Sequence, residues 1–366
     1  MSRSIPFLEL APMHRDLADE LKAKFAALLE KGLFSGGEEV EVLASSMQEF
    51  LKVPYAIPCA NGTDALELAL RALEVGPGDE VIVPALTWVS TAEVVKMVGA
   101  NLVFCDVDAD GLMDLTLLPS VISPNTKAVI PVHLYGKMMD MKSLAAIAQK
   151  TGIKVIEDAA QAFGAFQGGK SAGAYGDIGC FSFYPTKNLG ALGEAGMLTS
   201  HDGGLSERLR LLLNHGQPQR DVHELIGRNS RIDTLQAAFL NVKLSYFTPW
   251  QQRRKALAKL YLDHLQHLKG IKVPSSILQE NHNAHLFTIQ TNQRDALKEC
   301  LSKKGIGTAI HYPLPVPAMK PFGEIDAFPV AARIGKTTLS LPLHPYLRED
   351  EVRYVCEEVQ RFFNKA

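Results

Sequence analysis

Cysteine is scarce in this chain, and its placement excludes more than its number does. The five cysteines, Cys59, Cys105, Cys180, Cys300 and Cys356, are far apart, odd in number and form no CxxC pair. A disulfide framework or a zinc knuckle therefore has no support, and no metal site is expected. An excess of charge of one sign is also missing: 38 lysines and arginines face 40 acidic residues. That balance gives no reason to expect a nucleic-acid partner. Nowhere is there an apolar run long enough to span a bilayer. The N-terminus, MSRSIPFLELAPMHRDLADE, acquires acids and a proline before a secretory core could form. No membrane association is expected, and a cytoplasmic setting fits. Three catalytic signatures are missing as well. No GxGxxG follows a strand, no GxxxxGK[ST] phosphate loop is present, and Ser182 lies outside any GxSxG elbow. Gly168-Gly169-Lys170-Ser171 is only a fragment of the phosphate loop without its first glycine.

What is present is a globular composition, with 46% apolar residues over 366 positions. That length exceeds what one core usually serves, so two domains are expected. Residues 1–30 read as an arm and a helix around Arg15 to Lys31, with Leu17, Leu21, Phe25 and Leu28 at helical spacing and Gly32 as its stop. Glu39 to Leu51 repeats the helical period with Val40, Leu43, Met47 and Phe50. From residue 80 the chain alternates. Strand candidates at Val81–Pro84, Leu102–Asp106, Ala128–Val132 and Val155–Asp158 are separated by helix candidates such as Thr91–Val98 and Met141–Lys150. This alternation predicts an α/β fold, a large domain over 31–245 with a mostly parallel sheet of the seven-stranded type flanked by helices. Ile178–Tyr184 and Gly196–Thr199 supply further strands whose direction the sequence leaves open. Residues 214–230 read as a long polar loop. After Trp250 a basic helix candidate leads into strands at Ala284–Gln290 and Gly307–His311, a helix between them, and a closing helix at Glu349–Phe363. These predict a smaller α+β domain over 246–366.

Ligands collect at the carboxyl ends of parallel strands. Asp158 stands at one such end and His133 just past another. Cys59-Ala60-Asn61-Gly62-Thr63-Asp64 precedes a strong helix and offers free backbone N–H groups to a phosphate, although capping by Thr63 or Asp64 is the ordinary reading of such a turn. Lys187 lies between an apolar strand and a turn carrying Gly190, Gly193 and Gly196. A pyridoxal phosphate enzyme needs a lysine for the carbonyl, a carboxylate against the ring nitrogen and helix N–H groups against the phosphate. Spacing alone leaves an ion-paired loop lysine and ordinary caps standing beside that reading.

A resemblance adds to it. CANGTDALELAL (59–70), PALTWVSTAEVV (84–95), AVIPVHLYG (128–136), VIEDAAQAFGA (155–165), GCFSFYPTKNLGALGEAG (179–196) and IGRNSRIDTLQAAFL (226–240) resemble the DegT/StrS family of sugar aminotransferases over nearly the whole chain. The resemblance implies a pyridoxal 5'-phosphate enzyme of the aspartate aminotransferase fold type (fold type I). Lys187 would then bond the cofactor and carry the proton of transamination, with Asp158 paired to the pyridine nitrogen. Gln161 would lie near the ring's 3' oxygen and Trp88 stack on its face. Gly62, Thr63 and Ser182 would cradle the phosphate, and Asn229 would reach the phosphate of a neighbouring subunit in a homodimer. The implied partners are glutamate with 2-oxoglutarate and a nucleotide-linked keto sugar, with Tyr184, His311 and Tyr312 as candidate sugar contacts. SFYPTKNLGALGEAG is more similar to members acting at the 3-keto position than to 4-keto enzymes. A departure stands at HYPLPVPAMKPF, where Pro317 and Met319 replace the histidine and glutamine of the family's PxHxQ. The alternatives within the resemblance are a pyridoxal phosphate enzyme for another carbonyl compound, a sugar dehydratase, against which Lys187 argues, and a non-catalytic regulatory relative.

Overall fold

Seven short strands, each four or five residues long, carry the architecture of the computed structural model, which describes residues 4–325 and 327–364. They are β1 (Tyr55–Cys59), β2 (Glu80–Pro84), β3 (Asn101–Cys105), β4 (Thr126–Val129) and β5 (Lys154–Asp158), followed, after a two-residue hairpin of β6 (Phe166–Gln167) and β7 (Lys170–Ser171), by β8 (Ile178–Ser182) and β9 (Gly196–Ser200). The order across the sheet is β1-β9-β8-β5-β4-β2-β3. The pairs β3–β2, β2–β4, β4–β5 and β5–β8 are parallel, and β9 runs antiparallel to both of its neighbours. The sheet is mostly parallel, as the βα alternation predicts; of the two strands whose direction the sequence leaves open, β8 runs parallel to β5 and β9 antiparallel to β8.

Side chains alternate across a strand, and both faces are buried. Ile82, Val129, Val155 and Phe181 enter one apolar cluster with Leu43 and Met47. Their strand neighbours Val81, Val83, Ala128, Ile130, Ile156 and Cys180 enter the other, against Leu66 and Leu70. The near-continuous apolar strands follow from this, since after their first residue β2 and β5 are buried at every position. The two N-terminal helices, Ala11–Asp16 and Ala18–Lys31, are separated at Leu17, and Gly32 ends the second with φ 63°. Phe25 was placed on the buried stripe by its spacing; it is 42% exposed, while Leu17, Leu21 and Leu28 are buried.

A third cluster gathers Leu257, Tyr261 and Leu265 of the helix Phe247–Leu265 with β10 (Phe287–Gln290), β11 (Thr338–Leu341) and the closing helix Glu349–Asn364. Ile5 reaches into this cluster and pairs with Ile306. The strand expected at Gly307–His311 is reduced to isolated bridges, Ile306 with Ile5 and Ala309 with Ser340. Its partner across the pair is β11, which the sequence reading missed together with the helix Pro329–Thr337 before it. Asp106, just beyond β3, accepts hydrogen bonds from Val330 and Ala331 at 3.0 Å each, so the N-terminus of that helix is capped from the large sheet. No helix among the described residues is long and apolar enough to cross a membrane.

Candidate active site

The sheet brings the singled-out residues to the carboxyl ends of β2, β5 and β8. Asp158 closes β5, buried, with Oδ2 accepting from the Thr91 hydroxyl at 2.8 Å and Oδ1 from the Ala160 N–H at 3.2 Å. The ordinary reading, a helix cap, does not hold: Ala159–Gly164 is a turn without a helix. Burial raises the Asp158 carboxyl above its usual range, although Thr91, Ala160 and the charge of Lys187 oppose it. A positive partner would complete this carboxylate.

Its neighbour Glu157 points to the other face of the sheet and is fully satisfied. Oε2 accepts from Gly173 N at 2.9 Å and Oε1 from Tyr175 N at 2.6 Å and Gly176 N at 2.7 Å. His133 Nδ1 accepts from Met139 N at 3.2 Å, so its Nε2–H donates to Glu157 at 2.9 Å. Burial alone would raise Glu157; the His133 hydrogen bond, with the backbone donors of Gly176 and Gly173, brings it below the ordinary carboxylate value. His133 is thus a framework residue beneath the site.

Lys187 follows β8 in a tight turn, its N–H bonded to Tyr184 O at 2.9 Å. The side chain is half-buried, and Nζ has no hydrogen-bond or ion-pair partner among the described residues. Desolvation lowers the amine from 10.5 to about 8, against the pull of Asp158. An amine so placed is neutral over part of the working range and can act as nucleophile or base. The ion-paired loop lysine is excluded by the missing partner.

At the helix Gly62–Ala72 the cap is neither Thr63 nor Asp64 but Asn61, whose side chain accepts from Asp64 N at 2.8 Å. Ala65 N bonds Asn61 O, which leaves the N–H groups of Gly62 and Thr63 unbonded among the described residues. Ser182 Oγ accepts from Tyr184 N at 3.3 Å and keeps its own hydrogen for an acceptor. Thr63 Oγ1 lies 2.9 Å from Ser90 Oγ. Helix and strand meet closely here, because a Cβ on Gly62 would stand 2.7 Å from Ser182 Cβ. We predict that Gly62→Ala costs about 1–3 kcal/mol of stability through this overlap. It should also weaken binding of inorganic phosphate, and thermal denaturation with and without phosphate reads both effects.

Arg228 holds the 214–231 loop to the same helix through hydrogen-bonded ion pairs with Asp64 and Glu67, and Ser230 Oγ donates to Asp64 at 2.5 Å. Asn229, between them, is exposed on this loop, and its backbone bridges to Asn214. It is not joined to the other site residues within the described chain.

On the opposite side Gln161 is buried in the turn after β5. Its Oε1 accepts from Tyr135 N at 2.7 Å, and its Nε2 donates to Tyr312 OH at 3.1 Å. The Tyr312 ring lies 5.6 Å from that of Trp88, which is 58% exposed. Trp88 is thus no core residue; about half its surface is open beside Tyr312, which suits a stacking role. Burial raises the Tyr312 hydroxyl, with a contribution from Asp158. His311 Nδ1 meets Ser340 Oγ at 2.8 Å, its carbonyl accepts from Tyr135 OH, and burial with the Lys187 charge lowers its imidazole to about 4. Tyr184 is exposed beside Ser182. Pro317 is buried and Met319 packs on the cluster of Leu66 and Val83, so the departure from PxHxQ replaces polar groups by apolar contacts.

The site also contains residues the sequence reading missed. Thr91 lay in plain view within PALTWVSTAEVV, three positions after Trp88, but nothing local marks it as the partner of Asp158. Tyr135 and Arg228 make their contacts across 176 and 164 residues respectively, which no local pattern encodes.

Known proteins resemble this chain over nearly its whole length. The family model described as the DegT/DnrJ/EryC1/StrS aminotransferase family matches residues 15–360. The chain is 42% identical to the UDP-N-acetyl-3-dehydro-alpha-D-glucosamine 3-aminotransferase of Acidithiobacillus ferrooxidans, over 98% of each chain. It is 39% identical to the dTDP-3-amino-3,4,6-trideoxy-alpha-D-glucose transaminase of Streptomyces venezuelae, over 99% of this chain and 97% of that one. Among solved structures, S. venezuelae DesV superposes with a TM-score of 0.96 at 38% identity, covering 100% of both chains. The chain is an aminotransferase and belongs to the DegT/DnrJ/EryC1/StrS aminotransferase family.

Proposed function

We propose that this aminotransferase moves an amino group from glutamate to the 3-keto group of a nucleotide-linked sugar, with pyridoxal 5'-phosphate as cofactor. The observation that carries the reading is the convergence of an unpartnered amine, Lys187 Nζ, and a buried carboxylate, Asp158, beside a helix start with two free N–H groups. The residues fit the cofactor: Asp158 is in no ion-pair contact among the described residues, a contact that a protonated ring nitrogen would supply, and Gly62, Thr63 and Ser182 offer three donors to a phosphate. When bound, the cofactor supplies a carbonyl that condenses with amines and a ring that withdraws the electron pair from the adjacent carbon. Asp158 would hold the nitrogen end protonated, Trp88 would stack on the ring, Gln161 would hydrogen-bond its 3' oxygen, and Lys187 Nζ, neutral, would take the proton from the donor's α-carbon. Two half-reactions follow in turn, glutamate leaving as 2-oxoglutarate before the keto sugar enters.

The 3-position is supported by the activities for which both relatives are named and by the TKNLGALG stretch after β8. His311, Tyr312 and Tyr184 are the proposed sugar contacts. The apolar Pro317 and Met319 argue for a sugar different from that of relatives with PxHxQ. We further read the chain as an arm over 1–30, a large domain over 31–245 and a small domain over 246–366, supported by the separate cluster around Tyr261 and Phe287. A cytoplasmic homodimer, with Asn229 of each copy serving the other's phosphate, is supported by the exposed position of Asn229 on the loop tied to the phosphate helix.

The test is the near-visible spectrum of protein supplied with pyridoxal phosphate, before and after glutamate. A band of the lysine-bound cofactor that converts to the amine form is expected. A band that ignores glutamate assigns another donor, and no band at all overturns the cofactor assignment.

A further inference from the structure

Directly after Lys187 stands a buried side chain that the reading above does not use. Asn188 Nδ2 donates to Asn283 O at 3.0 Å and to Gln251 Oε1 at 3.2 Å, so both amide hydrogens are engaged. Gln251 is itself oriented, because its Nε2 donates to the same Asn283 carbonyl. The orientation of Asn188 is therefore fixed, and its Oδ1 must be the atom that faces His285 Nδ1 at 3.0 Å. A carbonyl oxygen only accepts, so the hydrogen of the imidazole is on Nδ1 and Nε2 keeps a lone pair.

The segment around His285 is equally determined. Asn283 Nδ2 donates to Gln161 O at 2.8 Å and Phe163 O at 3.0 Å, and its Oδ1 accepts from His285 N at 2.9 Å. Gly136 leaves the room: a Cβ there would stand 3.0 Å from His285 Cβ and closer still to Asn283. Two separate stretches, at 251 and 283–285, thus converge on one amide beside Lys187, and the carbonyls of 161 and 163 hold Asn283 in place. Burial, and the charges of Lys187, Arg254, His311 and His282, hold the imidazole well below its ordinary value, so it stays neutral.

We propose that His285 is a positioning residue for amino transfer: as the neutral Nδ1–H imidazole it locks Asn188, and with it the turn that aims Lys187 Nζ at the Asp158 end of the sheet. This rests on Lys187 being the reactive amine. A turn released from that lock places Nζ loosely, and a misplacement of about 1 Å in a reacting group costs roughly 10²-fold in rate.

Three variants test it. His285→Leu fills the space without a donor. His285→Asn restores an N–H at the Nδ1 position, and His285→Gln moves its amide to where Nε2 stood. His285→Leu and His285→Gln should lose about 10²-fold in kcat with the KM for the keto sugar little changed, and His285→Asn should regain most of the loss. The second readout needs no cofactor: labelling of the Lys187 amine in the apoprotein by trinitrobenzenesulfonate against pH. Its midpoint, expected at about 8 in the parent, should rise in His285→Leu as the loosened turn admits water, and return in His285→Asn. Unchanged kcat in His285→Leu, equal losses in all three variants, or a labelling midpoint that does not move overturns the proposal. If His285→Leu does not fold, His285→Gln carries both readouts. A parent protein without the visible band would instead sink the cofactor reading, and the labelling experiment would still report on the lock.

Discussion

Lys187→Ala is expected to abolish amino transfer, with kcat down by at least about 10³–10⁴-fold, while the protein still folds. The loss should be of one kind whatever the substrate, since the amine is needed in both half-reactions. Addition of pyridoxal phosphate should then give no lysine-bound band. Turnover of the variant at the parent rate would refute the assignment. Stability supplies an independent check. The native amine loses its proton near 8 and the unfolded one near 10.5. Between those values the unfolded chain binds the additional proton, so the parent gains stability relative to Lys187→Ala as pH rises through that window. Denaturant melts of the two apoproteins at pH 7 and pH 10 measure it.

The second large effect is expected at Asp158. Asp158→Ala should lower kcat by about 10²–10³-fold, the scale seen when one preorganised electrostatic group is removed from a developing charge. Lys187 would still bond the cofactor, so the visible band should persist and only its response to glutamate should slow. Full activity in Asp158→Ala ends the assignment. The sign for stability is opposite to that of an ion-paired carboxylate. Burial raises this carboxyl, so the native state holds its proton to higher pH than the unfolded chain, and stability falls as pH rises through that interval. The apoprotein of Asp158→Ala should therefore gain on the parent towards neutral pH and match it in acid. A variant less stable at pH 7 by the same amount as at pH 4 would contradict this.

The parallel sheet was legible because strands buried on both faces read as short apolar runs between helical periods. Val81–Pro84 and Val155–Asp158 fall within strands that begin one residue earlier, at Glu80 and Lys154. Asp158 and Lys187 were legible for the same reason, as polar residues placed where apolar strands stop. What failed did so through pairing. The 307–311 stretch has strand composition, but its neighbours in space are Ile5 and Ser340, and neither offers more than a single bridge. Thr338–Leu341, fully buried, pairs with β10 across about fifty residues, a contact with no local signature. Asn61 took the cap because its extended backbone places its side chain under Asp64 N, a detail of φ and ψ rather than of composition. The network of Gln251, Asn283 and His285 lies outside every motif that suggested the chemistry.

The clamp of Arg228 on the first turns of the Gly62–Ala72 helix bears on how firmly an anion is retained. Asp64 and Glu67 are buried carboxylates on the very helix whose N-terminus would receive a phosphate, and left alone they would repel it. Arg228, paired with both, and Arg71, paired with Glu67 at 2.8 Å, offset that repulsion at its source. The loop that carries Arg228 also carries Asn229 and the 93%-exposed Ile226. Lifting this loop would leave Asp64 without its cation beneath the phosphate while Glu67 keeps Arg71. Phosphate release would thereby be coupled to loop opening, and salt, which screens exposed charge, should slow the escape of phosphate from a chain whose loop is open more than from one whose loop is closed.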